Sequence, residues 1–277
     1  MKLTLNNITL EILPERGGGI ARFAFDELEI FRPLVANDTS PLGLSCFALV
    51  PFSGRIAHGA FLADEQFITL PINFSDEPLH AIHGHGWQAA WHITAHDASR
   101  ATMRFDHDAD EWPWAYRAEQ RIHLHESGYS HELSVQNLGD TPMPTGLGLH
   151  PYFPRAGASI DTSFSARWAI GKTRLPTRLE PVVGEIDWFG GALIDTCFER
   201  QSAAIGLSWP TYMLSITPNA DLNHTVIYIP PGEDYFCVEP VSHVANAINH
   251  GGMRWLAPRE TWTTAVNFSV TRLEHHL

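Results

Sequence analysis

Basic residues are scarce in this sequence: 18 Lys and Arg stand against 31 Asp and Glu over 277 residues, a formal net charge of −13. A nucleic-acid partner demands a basic footprint that displaces phosphate counterions, and the same shortage removes attraction to an anionic membrane surface. Cysteine is rarer still. Cys46, Cys197 and Cys237 are odd in number and far apart, without C-x-x-C spacing. That excludes a disulfide framework or a zinc knuckle and reads as three reduced thiols in a cytoplasmic protein. No stretch approaches the roughly 18 consecutive apolar residues of a membrane helix. The opening MKLTLNNITLEIL alternates where a signal peptide would be continuously apolar. A G-x-G-x-x-G phosphate loop is missing, and so is any capped apolar stripe of helical period.

What is present points to strands. With 44% hydrophobic and 18% charged residues the chain can build a large core, and period-two alternation dominates. Residues 3–5 and 8–12 read as strands joined at Asn6-Asn7, and residues 119–125 and 131–135 as a hairpin around Glu126-Ser127-Gly128. Residues 225–229 and 263–270 supply later strands, whereas 176–191 reads as loop-rich. Nineteen Pro and 21 Gly punctuate at short intervals. The expectation is an all-β sandwich or closed barrel forming one domain over residues 1–277. Sixteen His and nine Trp are generous for the length. A Trp face suits the C–H surface of a sugar ring, although any single Trp is more at home in the core.

Five clusters stand out. Arg55, in Pro51-Phe52-Ser53-Gly54-Arg55-Ile56, can fork donors onto sugar hydroxyls or a carboxylate, or simply cap a turn. His80, His83 and His85 invite a metal reading, but residues 86–92 contain no acid to complete a local ligand set. In a strand His83 and His85 share one face, with room beside Gly84 and Gly86, which favours a pair of pocket-lining hydrogen bonders. His150 lies in the apolar, Gly-spaced PTGLGLHPYFP, stiff enough to hold a general acid, though a lone His there is more often a satisfied core residue. Glu239 is the least comfortable acid. Set among apolar residues in Tyr235-Phe236-Cys237-Val238-Glu239-Pro240-Val241, its pKa should rise toward a general base working near neutrality. Asp195, in Leu193-Ile194-Asp195-Thr196-Cys197-Phe198, can accept from a diol or turn the chain.

In this order the clusters, with the Trp112-Pro113-Trp114-Ala115-Tyr116 stretch, resemble the aldose 1-epimerase (galactose mutarotase-like) family over about residues 10 to 270. The resemblance implies a large β-sandwich, the galactose mutarotase-like supersandwich, with an open sugar-binding cleft. It also implies interconversion of the α and β anomers of a free aldose with neither cofactor nor metal. His150 falls at the general acid, Glu239 at the general base and His83 at a second active-site His, while Arg55 and Asp195 fall at substrate positions. His85 is expected to bind substrate beside His83. One departure is plain: the family's turn usually reads Asn-Arg, and here Gly54 precedes Arg55, which could alter sugar preference or loosen the Arg. Three other readings compete. A sugar-binding domain on the same fold would not need the acid–base pair, and an epimerase of anionic sugars would want more Arg or Lys than Arg55. A glycoside hydrolase would need a second carboxylate beside Glu239.

Overall fold

The computed structural model describes residues 1–63, 65–200 and 203–273, and these are nearly all strand. Helical structure among them is confined to two short 3₁₀ turns, Pro41–Gly43 and Ala247–His250, and none is a helix long and apolar enough to cross a membrane. The fold is a β-sandwich built on two eight-stranded sheets. The outer sheet runs His92–His96, Arg100–His107, Tyr116–His125, Gly128–Asn137, Thr261–Arg272, Tyr212–Pro218, Ile205–Trp209 and Ser159–Asp161. The site sheet runs Pro176–Pro181, Phe164–Ile170, Ile194–Arg200, His224–Ile229, Tyr235–Val241, Gly148–Leu149 and Ala48–Leu49, with Tyr152–Pro154 also paired to Tyr235–Val241. A four-stranded sheet from the first 29 residues and three two-stranded ribbons complete the structure.

The alternation predicted from sequence is the reason for this layering. In the ten-residue strand Tyr116–His125, every second residue is buried while the others are partly or fully exposed. It pairs with Gly128–Asn137 around the expected turn, and Lys2–Leu5 pairs with Ile8–Leu13 across Asn6-Asn7. The 176–191 stretch differs from expectation. Its first part, Pro176–Pro181, is an edge strand on Phe164–Ile170, where a leading Pro costs no ladder hydrogen bond.

Between the sheets, Phe236 and Val238 of the site sheet meet Leu214 and Phe268 of the outer sheet in one buried cluster. Phe31 bridges the layers edge-on to Phe153 and Phe268 at 5.3 Å from each. The opposite face of the site sheet carries a second, smaller cluster containing Phe47, Trp87, Tyr152, Cys237 and Val241. That face holds the site. All three cysteines are free and buried.

Several histidines are buried uncharged. Burial lowers His131 to about 3 and His243 to about 4. A folded chain that holds these rings neutral binds fewer protons than the unfolded chain between those values and the ordinary 6.5. Stability therefore rises with pH across that window and is lost on acidification. His131→Gln keeps a partner for Gln120, whose Oε1 lies 2.9 Å from the His131 ring. Urea titrations between pH 4 and 6 should show its stability depending on pH less steeply by one proton, about 1.4 kcal/mol per pH unit.

Candidate active site

Strand register builds the floor of the site. Tyr152 stands opposite Cys237 and Gly148 opposite Val241, so the same register carried between them sets His150 opposite Glu239. Glu239 in turn faces Val226, and Val226 faces Cys197. The next row on the same face runs Tyr152, Cys237, Tyr228 and Asp195. Cross-strand neighbours on one face come within contact distance, which is how residues far apart in sequence share one cavity. That cavity has a volume of ≈ 380 Å³ and is lined by His83, His150, Glu239, Arg55 and Asp195 among others. It lies at the small end of the roughly 300–1,000 Å³ typical of ligand sites.

His150 Nε2 lies 3.4 Å from Glu239 Oε1. The imidazole is sandwiched between Phe47 and Tyr152, with ring centroids 4.6 and 4.8 Å away, and its backbone N–H donates to Phe47 O at 3.0 Å. Three flat rings in a stack hold the imidazole in one plane. Its Nδ1 is buried without a partner. Burial lowers His150 to about 3. Burial also raises Glu239 well above the ordinary carboxylate value, and the nearby Asp195 charge raises it further, against an opposing pull from Arg55. A general acid at His150 and a general base at Glu239, as the resemblance implies, would be an imidazolium beside a carboxylate. Burial favours the opposite tautomer, neutral His with protonated Glu, because two charges in a dry pocket cost more than none.

His83 meets His150 edge-on at 5.4 Å and is bound to the turn that carries Arg55. Its N–H donates to Gly54 O at 2.9 Å, and its Nδ1 accepts from Gly54 N–H at 3.2 Å. An accepting Nδ1 puts the proton of the neutral ring on Nε2. Burial and the neighbouring His150 hold that ring uncharged.

His85 is elsewhere. The chain leaves the strand His80–Ile82 before either histidine, and His83 and Gly84 both adopt positive φ. Period-two logic therefore fails, and the two rings share no face. Gly84 leaves no room for a ligand either, since a Cβ there would lie 2.3 Å from Val50 O. His85 instead contacts the Tyr116 hydroxyl through Nδ1 at 2.9 Å and stacks on His107.

Arg55 is held by acids on two sides. Its Nε donates to Glu77 at 2.7 Å and its Nη2 to Asp195 at 3.1 Å. Burial disfavours the guanidinium charge, but Asp195 and Glu77 outweigh it and raise its pKa. Gly54 therefore does not loosen Arg55. Its φ of +62° is the left-handed region where Gly is at ease, and a Cβ there would sit 3.0 Å from that of Ala245.

Two site residues carried no signal in the sequence. Glu77 lies in the polar SDEP segment yet is 4% exposed. Arg174 sits at the hairpin tip between Phe164–Ile170 and Pro176–Pro181. It reaches Glu77 at 3.0 Å and Asp195 at 3.4 Å, which closes a ring of two cations and two anions. Both have the look of ordinary turn residues. None of the nine Trp lines the cavity among the described residues; its aromatic surfaces are Phe74, Tyr152, Tyr228 and Tyr235. The tryptophans Trp87, Trp91, Trp112, Trp114, Trp209 and Trp262 fill the interior. As for metal ligands, His150, Cys237 and Glu239 offer atoms within 4.8 Å of one another. Burial and the neighbouring Glu239 keep the Cys237 thiol protonated, which makes it a poor ligand.

Comparison with known proteins agrees with this architecture. The profile of the aldose 1-epimerase family matches residues 2–269. The chain belongs to that family. It is 28% identical over 298 residues to the uncharacterized protein YphB of Escherichia coli, covering 96% of this chain and 98% of that one. Among solved structures it resembles a galactose mutarotase-like protein of Clostridium acetobutylicum at TM-score 0.87 and 18% identity, covering 98% and 95% of the two chains. It also resembles galactose 1-epimerase of Lactobacillus acidophilus at TM-score 0.80 and 17% identity, covering 98% and 93%.

Glu239 is held in a place that disfavours its charge, and the linkage gives the sign of the consequence. Its folded pKa lies above the ordinary 4.5, so its contribution to stability declines as pH rises from 4.5 toward the folded value. Glu239→Gln carries no such charge. In urea unfolding at pH 5 and pH 8 the variant should gain on the parent as pH rises, and a constant difference would show that Glu239 titrates normally.

Proposed function

We propose that this protein is a cofactor-independent aldose 1-epimerase, and that His150 and Glu239 interconvert the α and β anomers of a free aldose. The observation that carries the reading is the His150–Glu239 pair, 3.4 Å apart on the floor of a cavity of ≈ 380 Å³. Mutarotation needs one group to protonate the ring oxygen and another to take the proton of the C1 hydroxyl. The ring opens, C1 turns about its bond to C2, and either face recloses. His150 donates and Glu239 accepts in the opening step, which takes the pair from imidazolium and carboxylate to neutral His and protonated Glu. Reclosure reverses both transfers. Burial favours that neutral state, so the protein stabilises the arrangement that accompanies the open-chain sugar. His83, with its Nε2 proton, and the Arg55–Asp195 pair are suited to hold ring hydroxyls.

The pair works while it shares one proton. A second proton removes the acceptor, and loss of the first removes the donor. The rate profile should be bell-shaped, its limbs belonging to the pair rather than to either residue. With His150 lowered to about 3 by burial, the acidic limb should lie well below pH 6.5. NMR magnetisation exchange between anomeric protons, run at anomeric equilibrium across a panel of aldoses, measures this directly. Wild-type protein should accelerate exchange, and Glu239→Gln should lose at least about 10²-fold. Line broadening without exchange would instead identify a sugar-binding domain.

Arg174 supports a second reading. Its side chain is 47% exposed at the cavity, a second cation where the sequence offered one, and anionic aldoses could use it. Against this, Glu77 and Asp195 neutralise both guanidiniums, and the same ion pairs tie up the acids a two-carboxylate hydrolase would require. Neutral aldoses are therefore the expected substrates, with phosphorylated and sulfonated sugars as the comparison set. Glu77→Gln frees one guanidinium and should lower KM for an anionic sugar relative to a neutral one. An unchanged ratio would mean that neither Arg reaches the substituent.

A further inference from the structure

We infer that the face of the site sheet beside the cavity binds a second sugar unit against Trp168, so that the protein takes reducing oligosaccharides extended at C4 as well as single aldoses. The inference rests on the aldose 1-epimerase reading and deepens it. Trp168 lies in the strand Phe164–Ile170, which pairs with Ile194–Arg200 through Ala166 opposite Glu199 and Arg167 opposite Phe198. Its indole Nε1 donates to Glu199 Oε1 at 3.1 Å. Glu199 and Cys197 stand two residues apart on one strand and share a face, and Cys197 lines the cavity. The indole is therefore on the sugar side of the sheet, one strand beyond the cavity floor, and it is partly exposed. Leu179 stands opposite Trp168 on the edge strand and is 49% exposed. Apolar residues thus continue from Val226 and Cys197 on the floor to Trp168 and Leu179 on the open sheet.

The chemistry of this surface is that of a sugar subsite. An indole offers a flat apolar face to the C–H bonds of a sugar ring, and a carboxylate at its edge accepts from hydroxyls. Glu199 is held for that role. Its Oε1 takes the Trp168 N–H and meets His224 Nε2 at 3.2 Å, whereas its Oε2 takes no hydrogen bond from the described residues. The reaction fixes the direction of the sugar. C1 and the ring oxygen must meet His150 and Glu239, so C4, across the ring from C1, is turned away from the pair. Toward Phe47 the row is closed, because that buried ring stacks on His150. Extension therefore runs the other way, from Glu239 past Val226 and Cys197 to the strand of Trp168, three strand spacings or about 14 Å. One hexose ring falls short of that distance, and a second ring linked through O4 reaches the indole.

The test applies anomeric exchange and saturation-transfer NMR to the full chain. Maltose, cellobiose and lactose are compared with glucose, and a galactobiose linked through O4 with galactose. At least one disaccharide should show a kcat/KM about tenfold above that of its reducing unit alone, with saturation reaching the protons of its non-reducing ring. Trp168→Ala should erase that advantage through KM, since the stack is the same in the closed and open forms of the sugar. Trp168→Phe keeps a flat face and should retain part of it. A damaged fold would lower both sugars together, so the ratio isolates the subsite. A disaccharide advantage that survives Trp168→Ala, or exchange of single aldoses with no disaccharide advantage, would overturn this inference alone. Exchange with no sugar at all would overturn the aldose 1-epimerase reading, and this inference with it.

Discussion

The register between Tyr235–Val241 and the GLGLHPYF segment decides what this molecule can do. Because Tyr152 faces Cys237 and Gly148 faces Val241, His150 and Glu239 are brought together as a cross-strand pair. A slip of one residue would turn Glu239 toward the core among Phe236 and Val238. The packing between the sheets protects that register, since Phe236 and Val238 are wholly buried on one face while Cys237 and Glu239 occupy the other. The same alternation that makes the strand a strand divides it into a core side and a chemical side.

Two electrostatic regimes then share one cavity. Arg55, Arg174, Glu77 and Asp195 cancel one another in a ring of ion pairs, a rigid charged wall whose members satisfy each other. His150 and Glu239 have no such support, and burial drives both toward neutrality. Such an arrangement is costly as structure, and the proposed mechanism makes use of it, since a proton passes between substrate and protein without either group being locked in one charge state.

Much of this was legible in the sequence. Alternation announced the strands, and the hairpin turns fell where their residues suggested. His150 and Glu239 could be picked out because a polar group among apolar neighbours is conspicuous. The signals failed where three-dimensional context reverses a local one. Glu77 and Arg174 are charged residues in polar turns, which ordinarily means solvent, and only the folded chain brings them to Asp195. His85 was misplaced because positive φ at His83 and Gly84 interrupts the strand that period-two logic assumed. Trp is too bulky to read by type alone: the large interior took six of the nine tryptophans, and smaller aromatics were left for the cavity.

The floor of the cavity also has a history in time. Its row Phe47, His150, Glu239, Val226 and Cys197 joins segments separated by up to about 190 positions along the chain, and such distant pairings form late because their loops must close first. On a ribosome His150 emerges long before Glu239, and no stretch ending short of residue 239 owns both halves of the proposed proton relay. On the proposed mechanism the nascent chain is therefore chemically silent until the Tyr235–Val241 strand takes its place between its neighbours.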